Sequence, residues 1–202
     1  KSIVIEDDNL YGLLSLFAKN ISNQPDSRMS KFIAFKSRLM FWFQKSNLPT
    51  RSKKNVEHHY DLSPELYKLF LDEDQQYSCA FFKKEDDSLE QAQVNKKQHI
   101  AKKLLLEPGM SVLDIGCGWG GLSLTLAKDY DVNVLGITLS EEQKLIAEAR
   151  AIREGIQDKV KFKLLDYRTD FGTFDRIVSV GMFEHVGTSN YIDYFEAIRK
   201  KL

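Results

Sequence analysis

Cysteine is scarce in this chain, with only Cys79 and Cys117 among 202 residues. So low a count argues against a disulfide framework and for a reducing compartment, so a cytoplasmic location is expected. No apolar run approaches the length of a membrane span. Net charge is also lacking: 29 basic residues balance 29 acidic ones, which removes the usual electrostatic reason to expect nucleic acid as a partner. His58 and His59 have no metal-ligand spacing with either cysteine, so no metal site is expected. Internal repeats and low-complexity tracts are absent as well. What remains, 43% hydrophobic and 29% charged residues, suits one soluble globular domain, or one domain with an extension.

The most informative stretch is Val112-Leu113-Asp114-Ile115-Gly116-Cys117-Gly118-Trp119-Gly120-Gly121. An apolar strand runs into a glycine turn, and an amphipathic segment follows. Glycines at 116 and 118 let backbone approach a ligand with no Cβ in the way. The helix start beyond them suits a ligand's charged end. Around this turn the pattern alternates. Strands are expected at 111–115, 132–137, 160–164 and 174–180. Helices are expected at 120–130, at 140–154 with Ser140 as N-cap, and at 191–202. Such alternation predicts right-handed βαβ units and a parallel sheet, an α/β fold.

Residues 1–54 read differently. Residues 9–21 and 30–44 have helical apolar spacing, and 46–54 resemble a linker, giving a helical N-terminal segment before a main domain at 55–202. Between Asp26 and Glu57 lie eight basic residues and no acid: Arg28, Lys31, Lys36, Arg38, Lys45, Arg51, Lys53 and Lys54. With Phe32, Phe35, Leu39 and Phe43 at helical spacing, this segment reads either as an amphipathic helix resting on an anionic membrane surface or as one packed on the main domain.

The turn does not suit a dinucleotide. That ligand calls for GxGxxG and an acid after the second strand, whereas here the second strand leads into Thr138-Leu139-Ser140. Asp114 instead precedes the first glycine, where a carboxylate can meet an ammonium group directly or through water. The pattern resembles the S-adenosylmethionine (SAM) methyltransferases of Rossmann-like fold. Five segments in order sharpen it: His58 to Leu62, Tyr77 to Phe82, Leu113 to Gly121, Thr138 to Gln143, and Val178 to Gly187. Together they resemble the cyclopropane-fatty-acyl-phospholipid synthase family, which includes the mycolic acid cyclopropane synthases, from about residue 55 to 202.

That resemblance implies transfer of the SAM methyl carbon to a cis double bond in an acyl chain of a membrane phospholipid, closing a cyclopropane ring. It implies SAM contacts from Tyr77, Ser78, Asp114, Gly116, Cys117, Gly118, Trp119 and Gly120. Thr138 and Gln143 match the family's ribose contacts, and Asp166 and Tyr167 match the adenine end. Glu184 and Cys79 match residues that hold a bicarbonate ion, the proton acceptor, with Glu184 the main catalytic candidate. The partners implied are unsaturated phospholipid and an anionic membrane surface, so the protein would sit peripherally on the inner face of the membrane; a homodimer is left open.

The first residue is Lys1 and the last, Leu202, falls within a helical pattern. The family's further catalytic histidine and tyrosine, and the last strands of its sheet, have no counterpart here. The chain is therefore expected to be a fragment with an incomplete sheet and little or no activity. Two other readings stay open: a SAM-dependent C-methyltransferase on an unsaturated acyl chain or other apolar small molecule, and a non-catalytic SAM- or lipid-binding module.

Overall fold

A computed structural model describes residues 9–22 and 64–202. The basic segment 28–54 and His58 to Leu62 lie outside the described residues. Two compact units are distinguished, Lys1–Asn47 and Leu48–Leu202. Of the first, α1 (Leu10–Ser22) is described. Asn9 Oδ1 accepts from the Gly12 amide at 2.8 Å and starts this helix.

In the second unit, α2 (Pro64–Lys68) and α3 (Leu89–Leu104) precede the alternating region. There follow β1 (Ser111–Ile115), α4 (Gly121–Tyr130), β2 (Asn133–Thr138), α5 (Glu141–Arg153), β3 (Val160–Leu164), β4 (Arg176–Ser179) and α6 (Tyr191–Arg199). The four strands form a parallel sheet in the order β3-β2-β1-β4. β1 is central because its residues alternate between two apolar layers. Val112 enters a cluster with Leu122, Leu124 and Leu126 of α4 and Ala147 and Ala151 of α5. Leu113 and Ile115 enter the opposite cluster, with Phe171, Phe174, Met182 and Ile198 of α6. A strand buried on both faces with helices above and below is the doubly wound arrangement.

The β1 and β3 bounds match the sequence expectation, and Ser140 caps α5 by accepting from the Gln143 amide at 3.3 Å. β4 is shorter than the expected 174–180. The Phe174 amide donates to the Lys201 carbonyl at 2.7 Å, beyond the end of α6, so the chain joins the sheet only at Arg176. α6 itself stops at Arg199 rather than running to 202.

α3 has no counterpart in the sequence reading. Its buried residues are Ala92, Gln93, Asn95, Lys96, Lys97 and Ala101, so no apolar stripe announces it. Ser88 Oγ accepts from the Gln91 amide at 3.2 Å at its start, and Leu105 in left-handed conformation (φ 48°) ends it.

Candidate functional site

Three segments meet at the carboxyl edge of the sheet, where open α/β folds build their sites. The first is the turn after β1. Gly116, Gly118 and Gly120 all have positive φ, at 80°, 56° and 86°. The Gly116 and Cys117 amides both donate to the Ile137 carbonyl, at 2.9 and 3.0 Å, tying the turn to β2. A Cβ at Gly116 would sit 2.8 Å from Met182 Cβ, and one at Gly120 2.7 Å from the Phe162 ring. Gly118 is the exception, with open space where its Cβ would be. That is where another molecule can lie against backbone.

The second segment follows β4. Met182 touches the first turn, and Phe183–His185 form one turn of 3-10 helix on which Glu184 is exposed. The third is the loop at 72–82. A Cβ at Gly181 would meet Ser78 Cβ at 3.5 Å and the Tyr77 carbonyl at 3.8 Å, so this loop borders the turn after β4. The rings of Tyr77, Tyr67 and Trp119 connect it to the glycine turn, with centroids 5.4 Å apart for Tyr77–Tyr67 and 5.2 Å for Tyr67–Trp119. Cys79 is exposed on the same loop.

Other candidates are placed less directly. Asp114 is buried beneath the turn and accepts from Ser123 Oγ at 2.6 Å. Burial pushes its carboxyl up to about 6, against a pull downward from that hydrogen bond. Its near neighbour Cys117 is buried too, and burial followed by the Asp114 charge holds the thiol well above its ordinary range. Thr138 and Gln143 are buried and bonded to one another, Thr138 Oγ1 donating to Gln143 Oε1 at 2.9 Å.

Asp166 is turned onto Arg168, accepting from its amide at 2.9 Å, its Nε at 2.8 Å and its Nη2. Burial pushes the Asp166 carboxyl up, but the Arg168 bonds and charge outweigh it and hold the group below the usual range. Tyr167 packs edge-on against Tyr194 at 5.2 Å and joins the apolar cluster around Leu113.

Sequence reading missed the charges that hold the 72–82 loop. Asp74 accepts from Lys97 Nζ at 2.6 Å, from Gln76 Nε2 at 3.0 Å and from Arg150 Nη2. Arg150 Nη1 also donates to the Trp119 carbonyl at 2.9 Å, so one guanidinium links the loop to the glycine turn. Gln93 Nε2 donates to the carbonyls of Gln76 and Ser78 at 3.2 and 3.0 Å, and Lys96 Nζ donates to Ser78 Oγ at 2.7 Å. The only sequence signal is a cluster of polar residues on one side of a polar helix, which is also how a solvated helix looks.

A model of the mycolic acid cyclopropane synthetase family matches residues 47–202. The chain belongs to this family. Similar to it is the cyclopropane-fatty-acyl-phospholipid synthase of Escherichia coli K12, 51% identical over 156 residues, which are 75% of this chain and 40% of that protein. Cyclopropane mycolic acid synthase 3 of Mycobacterium tuberculosis is 43% identical over 148 residues, 73% of this chain and 52% of its own. The chain thus spans about half the length of these relatives, or less. Among solved structures, the mycolic acid cyclopropane synthase CmaA1 complexed with SAH and CTAB superposes with a TM-score of 0.71 at 39% identity, over 74% of this chain and 53% of that one. The sheet described above is therefore the Rossmann-like sheet of this family of SAM-dependent methyltransferases. No metal-binding cluster of His, Cys, Asp or Glu occurs among the described residues.

Proposed function

We propose that this chain is the SAM-binding part of a cyclopropane fatty acid synthase acting on unsaturated acyl chains of membrane phospholipids. The observation that carries the reading is the meeting of the Gly116–Gly120 turn, the Tyr77–Ser78–Cys79 loop and the Glu184 turn at one edge of the sheet. The family relationship supports the chemistry. The residues fit SAM: Gly118 leaves open backbone at the head of α4, and Ser78 stands across the turn after β4.

Bound SAM supplies an electrophilic methyl group on a sulfonium. An alkene is a weak nucleophile, so the chain's task is to orient it and to stabilise positive charge developing on the acyl chain. Glu184, exposed on its short helical turn, supplies negative charge there. Cys79, next to Ser78, offers backbone to a bicarbonate ion that takes the proton lost as the ring closes. Thr138 and Gln143 hold the ribose once their mutual hydrogen bond opens. Tyr167 and Asp166 border the adenine, with Asp166 shared with Arg168. The basic residues from Arg28 to Lys54 dock the protein on the anionic inner face of the membrane, which agrees with no described helix being long and apolar enough to cross it.

The test incubates the full-length protein with methyl-labelled SAM and unsaturated phospholipid vesicles and then separates the fatty acids. Label in a cyclopropane acid is expected. Label in a branched acid would replace this reading with simple C-methylation, and no label in any lipid would sink both. Glu184→Gln should lose most turnover while SAM affinity is retained; a parallel loss of SAM binding would move Glu184 from catalysis to cofactor binding.

A further inference from the structure

Lys96 and Lys97 are neighbours on α3, both buried, with 7% and 8% of their surfaces exposed. Lys97 has the partner a buried cation needs, Asp74 at 2.6 Å. Lys96 makes no ion pair among the described residues. Its ammonium meets only the neutral hydroxyl of Ser78, at 2.7 Å. Burial pushes this ammonium down to about 8, although Asp72 and Asp74 pull the other way from further off. A buried charge without a counter-ion is costly, and such positions concentrate at binding sites.

Hydrogen-bond direction adds a second constraint. An ammonium has donors and no acceptor. Ser78 Oγ must therefore accept from Lys96, which turns the Ser78 proton toward some other acceptor, and none of the described residues takes it. The pair offers donors and positive charge only. One helical turn earlier on the same face of α3, Gln93 fixes the backbone carbonyls of Gln76 and Ser78, and its buried Oε1 has no hydrogen-bond partner among the described residues. The loop is thus built rigidly around a polar place whose hydrogen bonding is unfinished. Ser78 borders Gly181, and the next residue, Met182, borders Gly116 of the glycine turn.

We propose that Lys96, acting with Ser78, is the cationic anchor for a carboxylate at this edge of the sheet, the carboxylate at the amino-acid end of SAM. This rests on the SAM reading above and deepens it. Lys96 supplies the charge, Ser78 the outward hydroxyl, and Asp74 with Lys97 and Arg150 keeps the loop in place.

Calorimetric titration of the full-length protein with S-adenosylhomocysteine and with 5′-methylthioadenosine tests it, because the second ligand lacks the amino-acid end. Lys96→Met is expected to weaken S-adenosylhomocysteine on the order of 30-fold while leaving methylthioadenosine within about 2-fold. Lys96→Arg, which keeps the charge, should recover part of the loss. Ser78→Ala, which disturbs no buried ion pair, should show the same selective loss at a smaller size. Equal weakening of both ligands in Lys96→Met and Ser78→Ala would make the pair structural and overturn the proposal. Undiminished S-adenosylhomocysteine binding in Lys96→Met would overturn it too. The same holds if bicarbonate competition disappears in that variant while nucleoside affinity stays intact, since the lysine would then serve the inorganic ion. A wild-type protein that binds neither nucleoside would overturn the SAM reading itself, and the proposal with it.

Discussion

The turn after β1 is held by backbone conformation and apolar packing, whereas the 72–82 loop beside it is held by charges. In the turn, three glycines in left-handed conformation thread between Met182 and Phe162. In the loop, one carboxylate, Asp74, gathers Lys97, Arg150 and Gln76, and a buried cation, Lys96, steadies Ser78. Close packing tolerates little change of shape but is indifferent to pH and salt. A buried ion-pair cluster tolerates some change of shape, yet loses heavily when one member goes. A site bordered by both can hold the apolar and charged ends of one ligand by different physical means.

The comparison breaks most visibly at Asp74. Asp74→Ala would leave Lys97 and Arg150, with side chains only 10% and 13% exposed, without their carboxylate. The expected cost is about 3 kcal/mol in denaturant unfolding, together with loss of ligand binding. A cost below about 1 kcal/mol would mean that water replaces the pair and that the loop is not charge-held.

Two glycine variants sharpen the other side. Gly116→Ala places a Cβ 2.8 Å from Met182 Cβ at φ 80°, and should cost about 2 kcal/mol from backbone strain and crowding together. Gly118→Ala meets open space at φ 56°, so only the backbone term of about 1 kcal/mol remains. Its larger effect should fall on S-adenosylhomocysteine affinity, because the open side is where the ligand lies. Equal affinities for Gly118→Ala and wild type would place the ligand elsewhere along the turn.

The smallest effect concerns Asp114, the one carboxylate buried within the apolar half. Its folded-state pKa is raised to about 6, from an ordinary 3.8. Between those values the folded protein binds more protons than the unfolded chain. The group's contribution to stability is therefore fully present below about pH 4 and is lost as pH rises through about 6. Asp114→Asn keeps an acceptor for Ser123 and cannot titrate. Its stability should fall less than wild type's across that window, as read from unfolding midpoints at each pH. An unchanged profile would mean that Asp114 is hydrated and ionised in the folded protein.

The apolar half was the half open to sequence reading. Val112 to Ile115, the glycines and the capping Ser140 lie close together in the chain, and each acts through local backbone rules. The charged half was not, because Asp74, Lys97 and Arg150 are separated by 23 and 76 residues from Asp74. Nothing in a polar helix such as α3 distinguishes a buried lysine from a solvated one. The positions of Asp114, Thr138 and Gln143 were read correctly as lying along the turn and the second strand. Their burial and their partners, Ser123 for the first and each other for the second and third, depend on neighbours that periodicity does not specify.

By itself the sequence determined the α/β alternation, the strand-to-helix glycine turn and the family, since these rest on short-range spacing and ordered motifs. Only the tertiary structure decided which charges meet. It brought the Ser78 loop against Gly181, joined Arg150 to both the loop and the turn, and left Lys96 buried beside a hydroxyl rather than a carboxylate. Electrostatic partnership is set by distance and exclusion of water, and neither exists until the sheet and α3 have closed over the site.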